Sequence, residues 1–265
     1  VMKYADLSDA DLTQSELDGA TLTNAILLRT NLQNARVVDV ALHGADLRGA
    51  NLEGAQLRRS DFSAACLSGA DLRKSDLRNT CFKAAQLDEA DLGGIELCDV
   101  DFSMASMRGA RLRRSVLDRS NLKGACLEGA SLRGASLVKT TLTDANLRNA
   151  DCSEADLRNS NLEGAILEGA HLDGAKLQGI AVDATNLRRA NMRCAVLERA
   201  NLEGADLQFA DLSRAVMHDT ILRRANLSGA VLKGARLSGA DIRGANLRGA
   251  RMSLIQRVFF LFRRL

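Results

Sequence analysis

The chain has 265 residues, contains no proline or tryptophan, and carries a formal net charge of +3. Hydrophobic residues make up 46% of it, although aromatic residues contribute only 3%. This composition excludes a disordered chain, and no apolar run reaches the roughly 18 residues of a membrane-spanning helix. The small net charge argues against a strongly basic nucleic-acid binder and against a strongly acidic decoy.

The N-terminal residues and the cysteines indicate a cytoplasmic protein. The segment around Asp6 is acidic rather than apolar, so we expect no signal peptide. None of the six cysteines forms a C-x-x-C pair, and we interpret them as reduced thiols. Secretion as an effector stays open. Val1 precedes Met2, which also leaves open that the chain is one domain of a larger protein.

A five-residue repeat runs through almost the whole sequence without a slip. Of the fifty sites from Leu7 to Met252 in steps of five, thirty-nine are leucine; we call this site the centre. Two residues before the centre, thirty-five of fifty sites are alanine, and Asp or Asn fills twenty-three of the fifty sites between these two columns. Glycine stands two residues after the centre twenty times, and only Gly93 lies outside that column.

A period of five fits neither the 3.6 residues of a helical turn nor the two-residue alternation of a strand. Alanine and leucine two residues apart point to the same side of an extended segment. Glycine two residues after the centre supplies the positive φ that the third residue of a type II turn requires. Each unit is therefore predicted to be a very short strand followed by a corner, and the Asp or Asn side chains are predicted to bond locally to the corner backbone.

A second period of twenty residues gives the number of units in each coil. We call the column two residues before the centre the small column. Nine of its twelve sites at residues 20, 40 and so on to 240 are not alanine. Phe62, Phe82 and Phe102 also stand twenty residues apart. Four units per coil predict a square cross-section of about 12 coils, which makes a rod of roughly 60 Å at about 4.8 Å per coil.

This pattern resembles the pentapeptide repeat family over residues 5–254. The resemblance implies an all-β fold, a right-handed quadrilateral parallel β-helix, which we place at residues 1–252. It also implies a set of unrelated functions, because a fold does not determine a function. Several members of the family are acidic rods that protect DNA gyrase by mimicking duplex DNA.

The tail at residues 253–265 leaves the repeat and has apolar residues at helical spacing, which predicts a short amphipathic helix. We expect this helix to cap the last coil and to contact a second copy or a partner protein. A plain monomeric cap and docking on a membrane surface are the weaker alternatives. The candidate contact residues are Leu254, Arg257, Val258, Phe259, Phe260, Phe262, Arg263 and Arg264.

Chemistry-bearing residues show no catalytic or metal-binding pattern. His43, His171 and His218 occupy different columns, and Cys66 and Cys126 share a column but are three coils apart. We therefore expect no catalytic residue, no metal, no cofactor and no small-molecule substrate.

Charge is mixed on all four faces, with one local excess of positive residues. The candidate basic patch consists of Arg111, Arg113, Arg114 and Arg133, and it is either a solvated face or a site for a partner or an anion. Along the axis, residues 1–220 sum to −6 and residues 221–265 sum to +9. Because the coils lack aromatic residues for base stacking, we expect no nucleic-acid partner.

The function that this pattern favours is a non-enzymatic interaction scaffold or adaptor, because solenoids present long regular surfaces. Gyrase protection by DNA mimicry is the alternative that the family resemblance supplies. Charge disfavours it, since a duplex of about 60 Å carries roughly 35 negative charges.

Overall fold

The computed structural model describes residues 1–182, 185–253 and 256. Each strand is a single bridging residue just before a centre, at position 6 and at every fifth position up to 251. Bridges are parallel and join residues twenty positions apart, from Asp6 with Ile26 to Val231 with Arg251. The described chain is therefore an all-β parallel solenoid with four units in each turn of twenty residues, as the sequence predicts.

The four units of a turn form four faces, which we number in chain order. The first face carries the bridging residues 6, 26 and so on, the second 11, 31 and so on, the third 16, 36 and so on, and the fourth 21, 41 and so on.

Backbone hydrogen bonds join each coil to both neighbours. Leu27 N donates to Asp46 O at 2.7 Å, while Ile26 N donates in the opposite direction to Ala5 O at 2.8 Å. This ladder uses the amides of the bridging residue, of the centre and of the residue two after the centre in most units. A chain without proline suits it, since proline has no amide hydrogen to donate.

The core is the column of centres packed against the column of small residues. Leu127 and Ala125 are both 0% exposed, as predicted. Phe62, Phe82 and Phe102 stack with ring centroids 5.0 and 5.2 Å apart. Most polar residues of the small column keep their hydroxyls bonded inside the rod: the Ser60 hydroxyl donates to Val37 O at 2.6 Å, whereas the Ser15 hydroxyl near the first coil has no partner among the described residues.

Most corners are hydrogen-bonded turns with the positive φ that a type II turn requires at its third residue. The carbonyl of the centre accepts a bond from the amide three residues later, as Leu7 O does from Ala10 N at 3.1 Å. The residue two after the centre has a positive φ, which is +66° at Gly129. The glycines predicted to adopt it all do so: Gly124, Gly129, Gly134, Gly164, Gly169 and Gly174.

Glycine is not the only residue with this conformation. Every described unit has a positive φ at this site, including 28 with another residue, such as Met104 at +60° and Phe209 at +59°. None of these is Val, Ile or Thr, the residues that the left-handed region tolerates least. The interlocked coils therefore impose the turn, and the sequence avoids only the worst residues there.

Candidate functional site

The tail contact residues lie outside the part of the chain that the structure describes. These are the eight candidates Leu254, Arg257, Val258, Phe259, Phe260, Phe262, Arg263 and Arg264. The C-terminal helix predicted over residues 253–265 falls on the same segment, and only its Ser253 and Gln256 are described.

Ser253 and Gln256 nevertheless show how the chain leaves the last coil. Ser253 N donates to the Gln256 Oε1 at 2.8 Å, and Gln256 N donates to Ser253 Oγ at 3.3 Å. This reciprocal pair has the hydrogen-bond pattern of a capping box, and its S-x-x-Q signature is a signal that sequence reasoning missed. Gln256 Nε2 also donates to Leu232 O and Ala235 O, each at 2.8 Å, so this side chain covers carbonyls of the last coil.

The candidate basic patch lies on the second face. Arg111, Arg113 and Arg114 are exposed on one coil, and Arg133 is exposed on the next. Arg133 pairs with Glu154 at 2.9 Å, and Arg111 lies 3.8 Å from the Asp91 carboxylate. Among the described residues, no carboxylate forms an ion pair with Arg113 or Arg114.

Two coils towards the N-terminus, the same columns carry Arg73 and Lys74, whose charges are already paired. Arg73 contacts Asp71 at 2.6 Å, and Lys74 contacts Glu53 at 2.7 Å. The hydrogen bonds from these cations hold the pKa of the Asp71 carboxyl and that of the Glu53 carboxyl below their ordinary values. The free positive charge of the patch is therefore concentrated at Arg113 and Arg114.

Between these two cationic coils the ladder is interrupted. The bridge that the register places between Asp76 and Glu96 is not formed, although all residues from 74 to 98 are described. The corresponding bonds from Leu77 N to Glu96 O and from Glu96 N to Ser75 O are also missing. We call this opening, between residues 74–79 and residues 93–98, the inter-coil gap.

The sequence explains the gap by a change in side-chain size. Ile95 stands in the small column and is 5% exposed, between Ser75 and Ser115 on the adjacent coils. Its larger side chain separates the coils at a corner where alanine is the usual residue. Gly93 and Gly94 leave the outer surface without side chains, and a depression of about 350 Å³ lies over Gly94.

Elsewhere the surface charges form local pairs rather than one continuous ladder. Arg108 pairs with Glu128, and Arg148 pairs with Glu168 at 2.9 Å. Arg188, on the next coil of the same column, pairs with Asp206 at 3.5 Å.

The exposed large apolar side chains of the described residues are Val1, Tyr4, Ile26, Met104 and Phe209. Ile26 is 38% exposed and Phe209 is 54% exposed. Sequence reasoning missed Met104, which is 64% exposed at the same turn position as Phe209.

The polar groups show no convergent chemistry in the described residues. No cluster of three or more His, Cys, Asp or Glu side chains there has a geometry suited to a metal ion. Burial raises the pKa of the Cys152 thiol to about 12, so this core thiol stays protonated at neutral pH. The described part of the chain contains no helix with the length and hydrophobicity needed to span a membrane.

The repeat matches a known family over almost its whole length. The family model for pentapeptide repeats matches eight consecutive or overlapping segments that together extend from residue 5 to residue 254. The chain is a pentapeptide repeat protein.

Solved structures of other pentapeptide repeat proteins resemble it. One is HetL of the cyanobacterium Nostoc sp. strain PCC 7120, described as involved in heterocyst differentiation regulation; it is 35% identical over 84% of this chain and 90% of its own, with a TM-score of 0.33. Another is full-length QnrB1, a plasmid-mediated fluoroquinolone resistance protein, which is 18% identical over 98% of this chain and 97% of its own, with a TM-score of 0.30. A thylakoid-lumen protein of Arabidopsis thaliana is 31% identical over 40% of this chain and 70% of its own, with a TM-score of 0.24. The comparison with curated proteins found no match.

Proposed function

We propose that this pentapeptide repeat protein is a non-enzymatic scaffold or adaptor that binds a protein partner through its solenoid surface. The observation that carries the proposal is the sealed Leu and Ala core, exemplified by Leu127 and Ala125 at 0% exposure, which leaves only outer faces to make contacts. A regular, rigid surface of this kind suits recognition of a macromolecule better than binding of a small substrate.

The finer architecture belongs to the same proposal. Twenty residues per turn over residues 5–252 amount to about 12 coils, and we assign them the right-handed sense of the family. The C-terminal segment forms a short helix that caps the last coil and takes part in a self-contact or a partner contact. The Ser253–Gln256 capping box and the bonds of Gln256 to the last coil support this assignment.

Gyrase protection is the alternative, and the surface charges oppose it. Arginine side chains lie beside the acidic ones on the faces, and many are paired directly, as Arg119 is with Asp99 at 2.6 Å. Such pairing breaks up the continuous negative potential that a mimic of duplex DNA requires.

We place the protein in the cytoplasm, where its reduced thiols are stable.

Photo-cross-linking in cells tests the scaffold proposal. A photoreactive phenylalanine analogue replaces one residue at a time on the four faces: Phe209 on the first, Arg113 on the second, Lys139 on the third and Met104 on the fourth. We expect adducts of one defined mass from one face and none from the others. Equal labelling from all faces, or no adduct from any of them, contradicts a specific scaffold.

A further inference from the structure

We propose that copies of this chain associate side by side, with the second face of one rod against the fourth face of another. This contact goes beyond the proposed scaffold function, whose partner is a different protein. Two rows of charge depart from the local ion pairing described above, one on each of these opposite faces, and together they carry the inference.

The cationic row lies on the second face over four consecutive coils towards the C-terminus. One exposed cation stands on each coil, and none of the four forms an ion pair with another described residue. The carboxylate of Asp211 lies on the same stretch, where it accepts a bond from Ser213 N at 2.9 Å. The cationic row consists of Arg193, Arg214, Lys233 and Arg251.

The acidic row lies on the fourth face, over the coils that hold residues 141–204. Asp144 and Glu163 are exposed and Glu203 is half-buried, and among the described residues none of these three carboxylates forms an ion pair. In the sequence, Asp183 adds a fourth acidic residue to the row, and the fourth-face segments of these coils contain no Lys or Arg. The row therefore keeps a negative charge that its own face does not neutralise.

The two rows have the same length and spacing. Arg193 and Arg251 stand about three coils apart, as do Asp144 and Glu203, which is about 14 Å at about 4.8 Å per coil. An extended peptide spaces the side chains of one face about 6.8 Å apart, so it falls out of step with either row. The coils of a second copy keep the same interval as the row that they face, which favours a second copy over an extended segment of another protein.

One shift along the axis brings the rows of two parallel copies together. Arg193 follows Asp144 by 49 residues, and Arg214 follows Glu163 by 51 residues. A shift of about 50 residues, which is two and a half coils or about 12 Å, therefore places each cation opposite a carboxylate. Like charges on adjacent coils repel within each row, and the opposing row relieves this repulsion in both copies.

The same shift extends the match beyond the two rows. It places Lys123 on the fourth face opposite Asp173 on the second face of the other copy, since the two stand 50 residues apart. It also places Asp61 opposite Arg111 of the candidate basic patch, again with 50 residues between them. The basic patch thus meets a carboxylate in the same arrangement.

Two coils between these matches bring like charges together. Lys83 lies opposite Arg133, whose charge Glu154 already pairs at 2.9 Å within its own chain, and Asp101 lies opposite Asp151. Surface ion pairs are individually weak, and these two coils oppose the others. The contact is therefore weak, and salt screens it.

The contact does not close on itself. The second and fourth faces lie on opposite sides of the rod, so each added copy leaves one face open for the next. The mass of the assembly should rise beyond two copies with concentration, whereas a two-fold contact through the tail stops at two.

Sedimentation velocity of the full chain tests this inference with one variant for each row. Arg214→Glu with Lys233→Glu reverses the centre of the cationic row. Glu163→Lys with Glu203→Lys reverses most of the acidic row. The first variant carries two negative faces and the second carries two positive faces, so neither associates with itself, but the two associate with each other.

The control reverses two cations on the faces that the contact does not use. Arg189 on the first face and Arg199 on the third are exposed, and neither forms an ion pair among the described residues. Arg189→Glu with Arg199→Glu makes the same change of net charge as the cationic-row variant. It should leave the association intact, because both side chains point away from the neighbouring rod.

At low salt the parent chain should exceed two copies as its concentration rises. Each row variant alone should lower the association constant at least about tenfold, the control should lower it less than about twofold, and an equimolar mixture of the row variants should restore it. Salt of about 1 M, where the Debye length is about 3 Å, should abolish association beyond two copies. A parent chain that stays at one or two copies at low salt, no recovery in the mixture, an equal loss in the control, or growth that persists at high salt overturns the inference.

A zero-length cross-link tests the register of the contact. A carbodiimide joins a lysine amine to a carboxylate where the two side chains touch. In the associated parent chain we expect an amide between Lys123 and Asp173, which lie on opposite faces of one rod and can be joined only between copies. Absence of this link from the digested, associated protein overturns the proposed shift.

Adduct mass in the photo-cross-linking experiment separates failure of this inference from failure of the scaffold proposal. An adduct of a partner with another mass, without self-association in the centrifuge, leaves the scaffold intact and removes the side-by-side contact. Self-association with no adduct except at twice the chain mass keeps the contact and removes the scaffold proposal.

Discussion

Valine in place of Gly129 tests whether the corners of the rod require a left-handed residue. Gly129 has φ +66°, and a Cβ added there meets no atom within 4 Å. The cost of a substitution is therefore backbone strain alone, with no contribution from a clash. An L-residue in this region costs about 1–2 kcal/mol, and a β-branched one costs more, so we expect Gly129→Val to lower the free energy of unfolding by about 2–3 kcal/mol.

Gly93→Val is the matched control on another coil. Position 93 does not have a positive φ, and an added Cβ comes within 3.1 Å of the flexible Asp91 carboxyl and 3.8 Å of Arg113 O. We expect a loss below about 1 kcal/mol, because only the side chain of Asp91 has to move. A third variant, Gly129→Ala, has no β-branch and should lose about 1 kcal/mol once the smaller entropy of its unfolded chain is counted.

Urea unfolding followed by circular dichroism measures these losses in the full chain. The order expected is Gly129→Val, then Gly129→Ala, then Gly93→Val, with unchanged dependence on urea concentration. Equal losses for Gly129→Val and Gly93→Val would falsify the argument that the turn conformation sets the cost.

Three further predictions concern the core, the ion pairs and the tail. Leu127→Asp buries an unpaired charge at a site that is 0% exposed, so we expect the variant to lose most of its native circular dichroism signal, whereas Leu7→Asp on the half-buried first coil should stay folded. Hydrogen bonds from Arg78 and Arg58 lower the pKa of the Asp76 carboxyl below its unfolded value near 3.8. The stabilisation by this group is therefore complete above a pH of about 4 and is lost as the pH falls below that value. Asp76→Asn should flatten the decline of melting temperature in acid, and an unchanged decline contradicts the pairing. A chain ending at Met252 should sediment in a lower oligomeric state than the full chain or unfold at a lower temperature. The same oligomeric state and the same stability in both forms, with all partners retained, remove the role proposed for the tail.

The sequence predicts the fold well because every unit repeats the same contacts. Leu127 and Ala125 lie in columns whose period of five fixes their side of the chain, and the period of twenty fixes the stacking of Phe62 on Phe82. Local pattern and long-range packing agree in such a repeat, so no tertiary contact has to be guessed.

Three features do not follow from the repeat pattern, each for an identifiable reason. Met104 adopts a left-handed turn against its own preference, because the ladder bonds on both sides outweigh its strain. In the sequence, Ile95 is one more departure from alanine in the small column. Its effect on the spacing of the coils depends on Ser75 and Ser115, which are stacked on both sides of it. The S-x-x-Q capping box at Ser253 is visible in the sequence, but the apolar spacing that predicts the tail helix does not include it.

The candidate sites divide in the same way. The grouping of Arg111, Arg113 and Arg114 follows directly from their spacing, since the three share one unit. Which of these cations is unpaired does not follow from spacing, because Asp91 on the neighbouring coil approaches Arg111 and not the other two.

The twenty-residue register is the central claim, and distances between spin labels along one face test it most directly. Labels at Ser63 and Glu163 are five coils apart on the fourth face, and labels at Ser63 and Glu203 are seven coils apart. In a chain whose native cysteines have been replaced, we expect pulsed-resonance distances of about 24 Å and about 34 Å, which is one increment of about 4.8 Å for every twenty residues. Distances that do not increase in this proportion contradict the solenoid register and every inference drawn from it.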